Sequence, residues 1–466
     1  MRTLRHPSPR VALGPADPSL TPRAGLRFVA ELDRALGIVT AIDLSTPRIK
    51  ARDRGLSVGE TVLALTETML SGGDFMADLD VQRRDVAGVV LRAVPDVPAS
   101  STFIGVAKRF DDVVFSGIEH AIGTLVDRWF SALGEGARRS LVDARPTIDL
   151  DPTDVEVYGR KKEGVAFNYK AERCGRPHPA VWAEAGMVLA AELGSGRTDP
   201  RPQAPSLIAR AVAALPDGLL RPVVRCDSGF FSRKVAEAAL REGCDFAIAA
   251  RRTSATWRAA RAVPEAAWRR CRDMEAEVAW CSYVPAGWPD GTGCFVRRVR
   301  VERDDLRPDR RTRRRRTVDP AQLRLLEVGE IERAYAYSFV VTNLTGDVVE
   351  IESWFRRRAL VEERIWDSKG GMALRHLPSG HFSVNRTWMW GAFLAVNVSA
   401  WLQSLAGTDR GGRAHAKRLR RELICVPARV VRHARTVFVR VAPEHLDGPF
   451  GIAWANLSDR QCFAGP

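Results

Sequence analysis

Between Pro146 and Ala250 short stretches of strand character alternate with stretches of helical spacing, and this alternation constrains the fold more than any other feature. Thr147 to Asp151 switches between apolar and polar at period two, and Val165 to Tyr169 and Met187 to Glu192 follow as further strands. Ser206 to Leu215 carries helical spacing, and Val223 to Asp227 is a buried apolar run. Ser232 can cap a helix that stops at Gly243, and Asp245 to Ala250 is another strand. Elements in this order predict a mixed α/β sheet flanked by helices.

The remainder of the 466 residues divides around that core. Residues 1–25 are rich in Pro and Arg without sustained period and read as a disordered basic arm. Residues 26–145 read as all-helical. Ser57 and Glu60 form a capping box ahead of Val62, Leu63, Leu65, Met69 and Leu70, and Gly72 and Gly73 end that helix. A second helix is expected from Phe75 to about Arg84. Past Pro98, Ser100, Ser101 or Thr102 can cap a short segment, Phe103 to Phe110, that carries Lys108 and Arg109. This outline fits a helix-turn-helix DNA reader as well as a plain bundle. Three strands, a helix, a strand, a helix and a strand make 146–250 the first part of an RNase H-like core. Residues 251–345 break the rhythm, hold Trp257, Trp268, Trp280 and Trp288, and read as a β-rich insertion. Within it Arg310 to Arg316 gathers six arginines in seven residues, Arg313 and Arg314 among them, as a loop suited to phosphates. A long helix capped by Asp347 opens the second part of the core, 346–410, and 411–466 is a basic C-terminal region.

The net charge of +15, from 71 basic and 56 acidic residues, calls for a polyanionic partner, with double-stranded DNA first. Eight cysteines, at 174, 226, 244, 271, 281, 294, 425 and 462, include no C-x-x-C pair, which argues against a zinc ribbon and a disulfide framework. The start lacks a secretory apolar stretch, and the apolar run from Trp388 to Leu405 is interrupted by Asn397, Ser399 and Gln403. It reads as a buried helix, and the expected location is cytoplasmic, with no membrane.

Carboxylates at strand ends carry the chemistry. Asp151 closes the first strand before Pro152, and Asp227 closes a later one before Ser228 and Gly229. Asp149 shares a face with Asp151 but sits deeper, so Asp151 is the preferred ligand. Phe355, Arg358, Glu362 and Lys369 are spaced 3, 7 and 14 residues from the first. At about 100° per residue they fall on one narrow helical face. An exposed helix with an Arg358–Glu362 ion pair is the plainer reading of that stripe. Phosphodiester cleavage by in-line displacement uses two Mg²⁺ ions about 4 Å apart, and hard cations take carboxylate oxygens. Asp151 is the bridging candidate, with Asp227 and Glu362 completing each shell, and Mn²⁺ can substitute. Arg358 and Lys369 then hold phosphate oxygens.

These residues bring a family into view. The spacing Phe355-x2-Arg358-x3-Glu362-x6-Lys369 resembles the Tyr-(2)-Arg-(3)-Glu-(6)-Lys signature of bacterial insertion-sequence DDE transposases. Asp151-x-Thr153 and Arg225 to Phe230 resemble the contexts of that group's first two catalytic aspartates. The resemblance covers roughly 146 to 370 and implies an RNase H-like transposase with a β-rich insertion. It implies cut-and-paste transposition, recognition of terminal inverted repeats by the N-terminal helices, target DNA as second substrate, and a homodimer pairing two ends in the bacterial nucleoid. Phe355 stands where the signature has Tyr, so stacking survives without the phenol's hydrogen bond. Some members cut through a DNA hairpin and stack a flipped base on an insertion-domain Trp; which of the four here, if any, is left open.

Two other readings stay in play. An RNase H-like nuclease would cut without joining. A transposase-derived DNA-binding protein without turnover would bind without cutting.

Overall fold

The computed structural model describes residues 11–49, 55–159, 161–302, 317–358, 367–409 and 412–458. Its first strands are β1 (Leu20–Thr21), β2 (Thr147–Leu150), β3 (Val155–Glu156), β4 (Ala166–Phe167), β5 (Arg173–Trp182), β6 (Met187–Ser195), β7 (Val223–Cys226) and β8 (Asp245–Ala250). Then come β9 (Arg269–Arg270), β10 (Glu277–Cys281), β11 (Gly293–Glu302), β12 (Arg333–Thr342), β13 (Ala428–His433) and β14 (Thr436–Arg440). The protein is mixed α/β.

One large sheet organises the molecule. Its heart runs β6–β5–β2–β7–β8: β5 is antiparallel to β2 and β6, while β7 and β8 run parallel to β2. β2 and β7 are buried along their whole length, as inner strands covered on both faces must be. Beyond β8 the sheet continues antiparallel through β12, β11, β10 and β9. The 251–345 region therefore extends the main sheet instead of forming a sheet of its own. β12 comes back to β8 across the chain between them, a pairing that no local pattern announces.

Early helices are α1 (Leu26–Leu36), α2 (Ile38–Ser45), α3 (Val58–Leu70), α4 (Ala77–Arg83), α5 (Ser100–Ala107), α6 (Asp112–Ala132) and α7 (Glu135–Asp143). Of these, α1, α3, α5 and α6 pack against a long helix, Phe382–Ala406, which is buried nearly all round and serves as the hub of the core. α3 lies so close to it at Gly391 that an added Cβ would meet the Leu65 side chain. No helix among the described residues is long and apolar enough to cross a membrane. The polar interruptions in this helix are satisfied inside the protein. Asn397 accepts from the Val188 N–H and donates to the Val188 carbonyl, both at 2.8 Å, beside the irregularity where β5 and β6 change register. Gln403 accepts from the Ala414 N–H at 2.6 Å.

The Ser57 capping box forms as expected, with Glu60 N–H to Ser57 Oγ at 3.1 Å and Ser57 N–H to Glu60 Oε2 at 2.8 Å. α5 starts differently. Ala99 occupies its N-cap without a side-chain bond, and the Ser100 hydroxyl instead donates to Asp80 at 2.6 Å, tying α5 to α4. Part of the expected loose arm is built into the fold: Leu20 and Thr21 pair with Arg429 and Ala428 of β13, and Ala24 is buried. Chain beginning and chain end thus share a three-stranded sheet, β1–β13–β14.

Later helices complete the layers: α8 (Ala204–Ala213), α9 (Arg233–Arg241), α10 (Ser254–Arg261), α11 (Pro320–Val328) and α12 (Val348–Arg356). The face of the sheet carrying Ile148, Leu150 and Trp182 packs beneath helices, with Trp182 edge-on to Trp129 of α6 at 6.2 Å. α12 lies over the opposite face, where Trp354 donates to the Thr147 hydroxyl at 3.1 Å. That second face holds the acidic side chains.

Candidate active site

Leu150 and Cys226 are partners in the parallel register of β2 and β7, so Asp151 and Asp227 leave the sheet at the same edge of adjacent strands. Neighbouring strands lie roughly 4.8 Å apart, which sets the scale of separation for the two carboxylates. Pro152 follows Asp151, and the Thr153 N–H bonds to Pro177 at 2.9 Å, turning the chain along β5. On the other strand, Asp227 accepts from the Gly229 N–H at 2.8 Å and caps a single tight turn, Ser228–Phe230. Phe230 is buried beneath that turn. Both aspartates are half-buried.

Asp149, one step inside the sheet on the same face, has another task. It is fully buried and held bidentately by Arg225 of β7, at 2.6 and 2.7 Å. Burial pushes its carboxyl up, and the Arg225 guanidinium opposes this. Arg225 also donates to the Trp354 carbonyl at 2.5 Å and lies 5.0 Å from the Trp354 ring. The pair therefore fastens α12 onto the sheet, and Asp149 has no oxygen edge free for an ion.

The helix begun by Asp347 ends at Arg356, with Arg357 as its cap and the Arg358 N–H reaching back to Phe355 at 3.1 Å. A single helical face from Phe355 to Lys369 was the expectation; the angular spacing assumed an unbroken helix, and α12 closes in a tight turn first. The side chains converge nonetheless. Arg358 donates to Asp151 Oδ1 at 2.5 Å, and Lys369 Nζ donates to the Asp154 carbonyl at 2.6 Å. Burial lowers the Lys369 ammonium's affinity for its proton, against the pull of Asp154 and Asp151. Asp154 receives Arg176 at 2.6 Å and Asn168 at 2.9 Å; burial raises its carboxyl, and these bonds more than offset that. His178, buried in β5 behind the loop, is pushed down to about 4 by burial and stays neutral.

A family profile described as "Transposase DDE domain group 1" matches residues 10–450. The chain belongs to this DDE transposase family. No curated protein matches it. Among solved structures, a piggyBac transposase synaptic complex with hairpin DNA is similar at 12% identity and a TM-score of 0.43, over 86% of this chain and 79% of that one. A likeness at that level carries no argument about the site.

For this transposase-family chain the remaining candidates fall as follows. Glu362, Arg313 and Arg314 lie outside the described residues. Phe355 is half-buried against Phe295 of β11, edge-to-face at 6.2 Å, within a small core that includes Val278 and Val340. Lys108 and Arg109 are exposed at the end of α5. Of the four tryptophans, Trp257 packs on Tyr337 and Phe339, Trp268 lies under Arg298, and Trp288 lies against Phe231 and Phe246. Trp280 is 38% exposed and rests one edge on Phe295. Among the described residues no group of three His, Cys, Asp or Glu side chains is placed to hold a metal.

Sequence reasoning gave no role to Arg225, Asp154 or Arg176. A signal was available for the first: an arginine inside the buried run Val223 to Cys226 requires a charged partner on a neighbouring strand, and Asp149 is the acid one strand away.

Proposed function

We propose that the protein is a DNA transposase that cuts and rejoins phosphodiester bonds at the ends of its own element, by cut-and-paste transposition. The observation that carries this reading is the register of β2 and β7, which sets Asp151 and Asp227 side by side at one sheet edge under the Arg358 turn. The strand order β6–β5–β2–β7–β8, with only β5 reversed among its inner three, supports an RNase H-like core.

Two half-buried carboxylates on neighbouring strands are a donor set that fits a hard divalent cation. Asp151 and Asp227 would hold Mg²⁺ or Mn²⁺, with Glu362 as third ligand. In the sequence Glu362 falls between Arg358 and Lys369, whose side chains both reach the loop Asp151–Asp154. When bound, two such ions lower the cost of charge on the attacking and leaving oxygens. The chain's own part is positional. Arg225 and Asp149 fix α12, α12 fixes Arg358, and Arg358 and Lys369 bring positive charge to where a scissile phosphate would lie. Double-stranded DNA, both terminal repeats and target, is the proposed partner. The N-terminal helices with Lys108 and Arg109 are the proposed end reader, Phe355, Arg313 and Arg314 further DNA contacts, and a homodimer the active form.

The test incubates purified protein with a labelled duplex carrying the element's terminal repeat and Mg²⁺, comparing wild type with Glu362→Ala. Cleavage at the repeat junction by the wild type, lost in the variant with binding retained, is the expected result. Equal cleavage by both removes Glu362 from the site. Binding without cleavage by either favours the DNA-binding derivative, and cleavage without any strand joining favours the nuclease.

A further inference from the structure

Beside the carboxylate edge lies a surface that the proposed chemistry leaves without a task. Tyr158 is 87% exposed, Tyr169 80% and Phe167 55%. Large rings in water cost free energy that burial would recover, so three of them around one loop cluster need a reason. Among the described residues no other aromatic ring packs on any of the three.

The three flank the start of β5, Tyr158 following the strand on one side of it and Phe167 and Tyr169 on the strand and turn of the other. Phe167 is the register partner of Arg173 across β4 and β5. The Arg173 carbonyl accepts from the Val157 N–H at 2.9 Å, and its guanidinium donates to the Gly159 carbonyl at 2.6 Å, so Tyr158 is bracketed by bonds to the same residue. Tyr169 sits on the turn after β4, which Asn168 holds by accepting from the N–H groups of Lys170 and Glu172 at 2.9 and 3.0 Å.

These rings are held out by a rigid frame. Gly164, in the left-handed region at φ +68°, lies against the Phe382 ring so closely that a Cβ would overlap it. The Glu163 N–H bonds to the Gly380 carbonyl at 2.9 Å, and its carboxylate accepts from the Phe382 N–H at 2.8 Å. Lys162 donates to the Leu377 carbonyl. Most telling is Asn168, whose amide donates to Asp154 at 2.9 Å and so couples the aromatic turn to the loop that begins at Asp151. A surface fixed in this way meets a ligand without ordering itself first.

Charge selects the ligand. Lys161 and Lys170 are exposed on the same segments as the rings, and the Lys170 ammonium stands 5.7 Å from the centre of the Tyr169 ring. Three acids share the surface and keep their charge, Glu163 accepting from the Phe382 N–H, Glu156 from the Tyr158 hydroxyl at 3.2 Å and Glu172 from the Asn168 amide at 3.0 Å, while Lys162 and Arg173 add two further cations to Lys161 and Lys170. Exposed rings interleaved with lysines are the features on which unpaired bases stack while the backbone follows the positive charge.

We propose that Tyr158, Phe167 and Tyr169, with Lys161 and Lys170, form a platform that takes unpaired nucleotides of the DNA end and holds them beside the Asp151 edge. The inference rests on the DNA-processing reading above. It assigns that site a preference for frayed or single-stranded termini over closed duplex.

The test measures binding of a fluorescent blunt duplex and of the same duplex with a single-stranded thymidine tail, at one fixed salt concentration, by the full chain. Wild type, a Tyr158→Ala/Tyr169→Ala variant and a Tyr158→Phe/Tyr169→Phe variant are compared, each checked for an unchanged melting curve. The wild type is expected to favour the tailed probe by roughly tenfold or more, in line with base stacking on one or two rings. The alanine variant loses that preference while binding blunt duplex as before, and the phenylalanine variant keeps it. Equal wild-type affinity for both probes overturns the platform and leaves the DNA reading intact. Binding to neither probe overturns the DNA reading itself. If the alanine substitutions leave the tail preference unchanged but turn a wild-type dimer into a monomer, the surface joins copies of the chain and the platform is overturned.

Discussion

Arg225 holds both oxygens of Asp149 inside the sheet, two residues before Asp151 and Asp227 emerge at its edge. Both side chains are essentially without solvent, at 2% and 0% exposure. Removing one partner leaves the other as an uncompensated buried charge, which costs about 3–5 kcal/mol, whereas replacing both by apolar residues is far milder. Arg225→Met should therefore lower stability by roughly that amount in denaturant titration, and Asp149→Leu/Arg225→Met should recover much of it. Equal losses in the single and double variants would mean that the pair is not what fastens α12.

Asp151 and Asp227 should behave in the opposite manner. Both are half-buried at the sheet edge, and neither carboxylate fills a core. Asp151→Asn and Asp227→Asn should shift the melting midpoint little, yet each should lower DNA cleavage by at least about a hundredfold, the scale of losing one well-placed charged group at a reacting centre. A gel-based cleavage assay beside a melting curve separates the two effects. An Asp227→Asn variant that cuts normally would remove that residue from the site.

How far the chain was legible follows from which interactions are local. The strands ending at Leu150, Cys226 and Ala250 were readable because each is a short apolar run bounded by turn residues, and the Ser57 capping box because its partners are three residues apart. The end of α12 was hidden. It closes at Arg356 through backbone bonds of the last turn, and no glycine or proline marks the place. Long-range pairing was hidden too: β12 meets β8 and β1 meets β13 through contacts that leave no local trace. At the candidate site the two aspartates could be picked from their strand-end positions. Asp149's occupation by Arg225 could not, because it depends on the register of two strands some 76 residues apart.

Glu67 supplies a pH test. It is wholly buried in α3, accepts from the Ala93 N–H at 2.8 Å, and burial pushes its carboxyl up from 4.5 to about 8, against the pull of the Ala93 bond and of Arg92. A carboxyl raised on folding favours the protonated protein. Its cost to stability is absent below about pH 4.5, grows as pH climbs towards 8, and is constant above. Glu67→Gln removes the titration and keeps the acceptor for Ala93. The variant should match the wild type near pH 5 and exceed it by on the order of 3 kcal/mol at pH 8. Chemical denaturation at the two pH values decides the matter; an identical pH slope in the two proteins would show that Glu67 is ionised throughout.

Arg358 allows the sharpest separation of roles, because the same side chain is expected to act with opposite sign on two ligands. Its guanidinium bonds to Asp151 Oδ1 at 2.5 Å, a carboxylate proposed to hold a divalent cation. A divalent cation arriving at Asp151 must compete with that pair, and an incoming phosphate must draw the guanidinium towards itself. Arg358→Ala should accordingly tighten Mn²⁺ binding by about fivefold, equivalent to roughly 1 kcal/mol for a half-buried ion pair. It should weaken binding of the end duplex by roughly tenfold, the scale of one charge-assisted hydrogen bond. Calorimetric titration of Mn²⁺ and fluorescence titration of the duplex give the two numbers independently. Weaker metal binding in the variant would mean that Arg358 holds Asp151 in place for the ion instead of competing with it, and unchanged DNA affinity would take the phosphate contact away from Arg358.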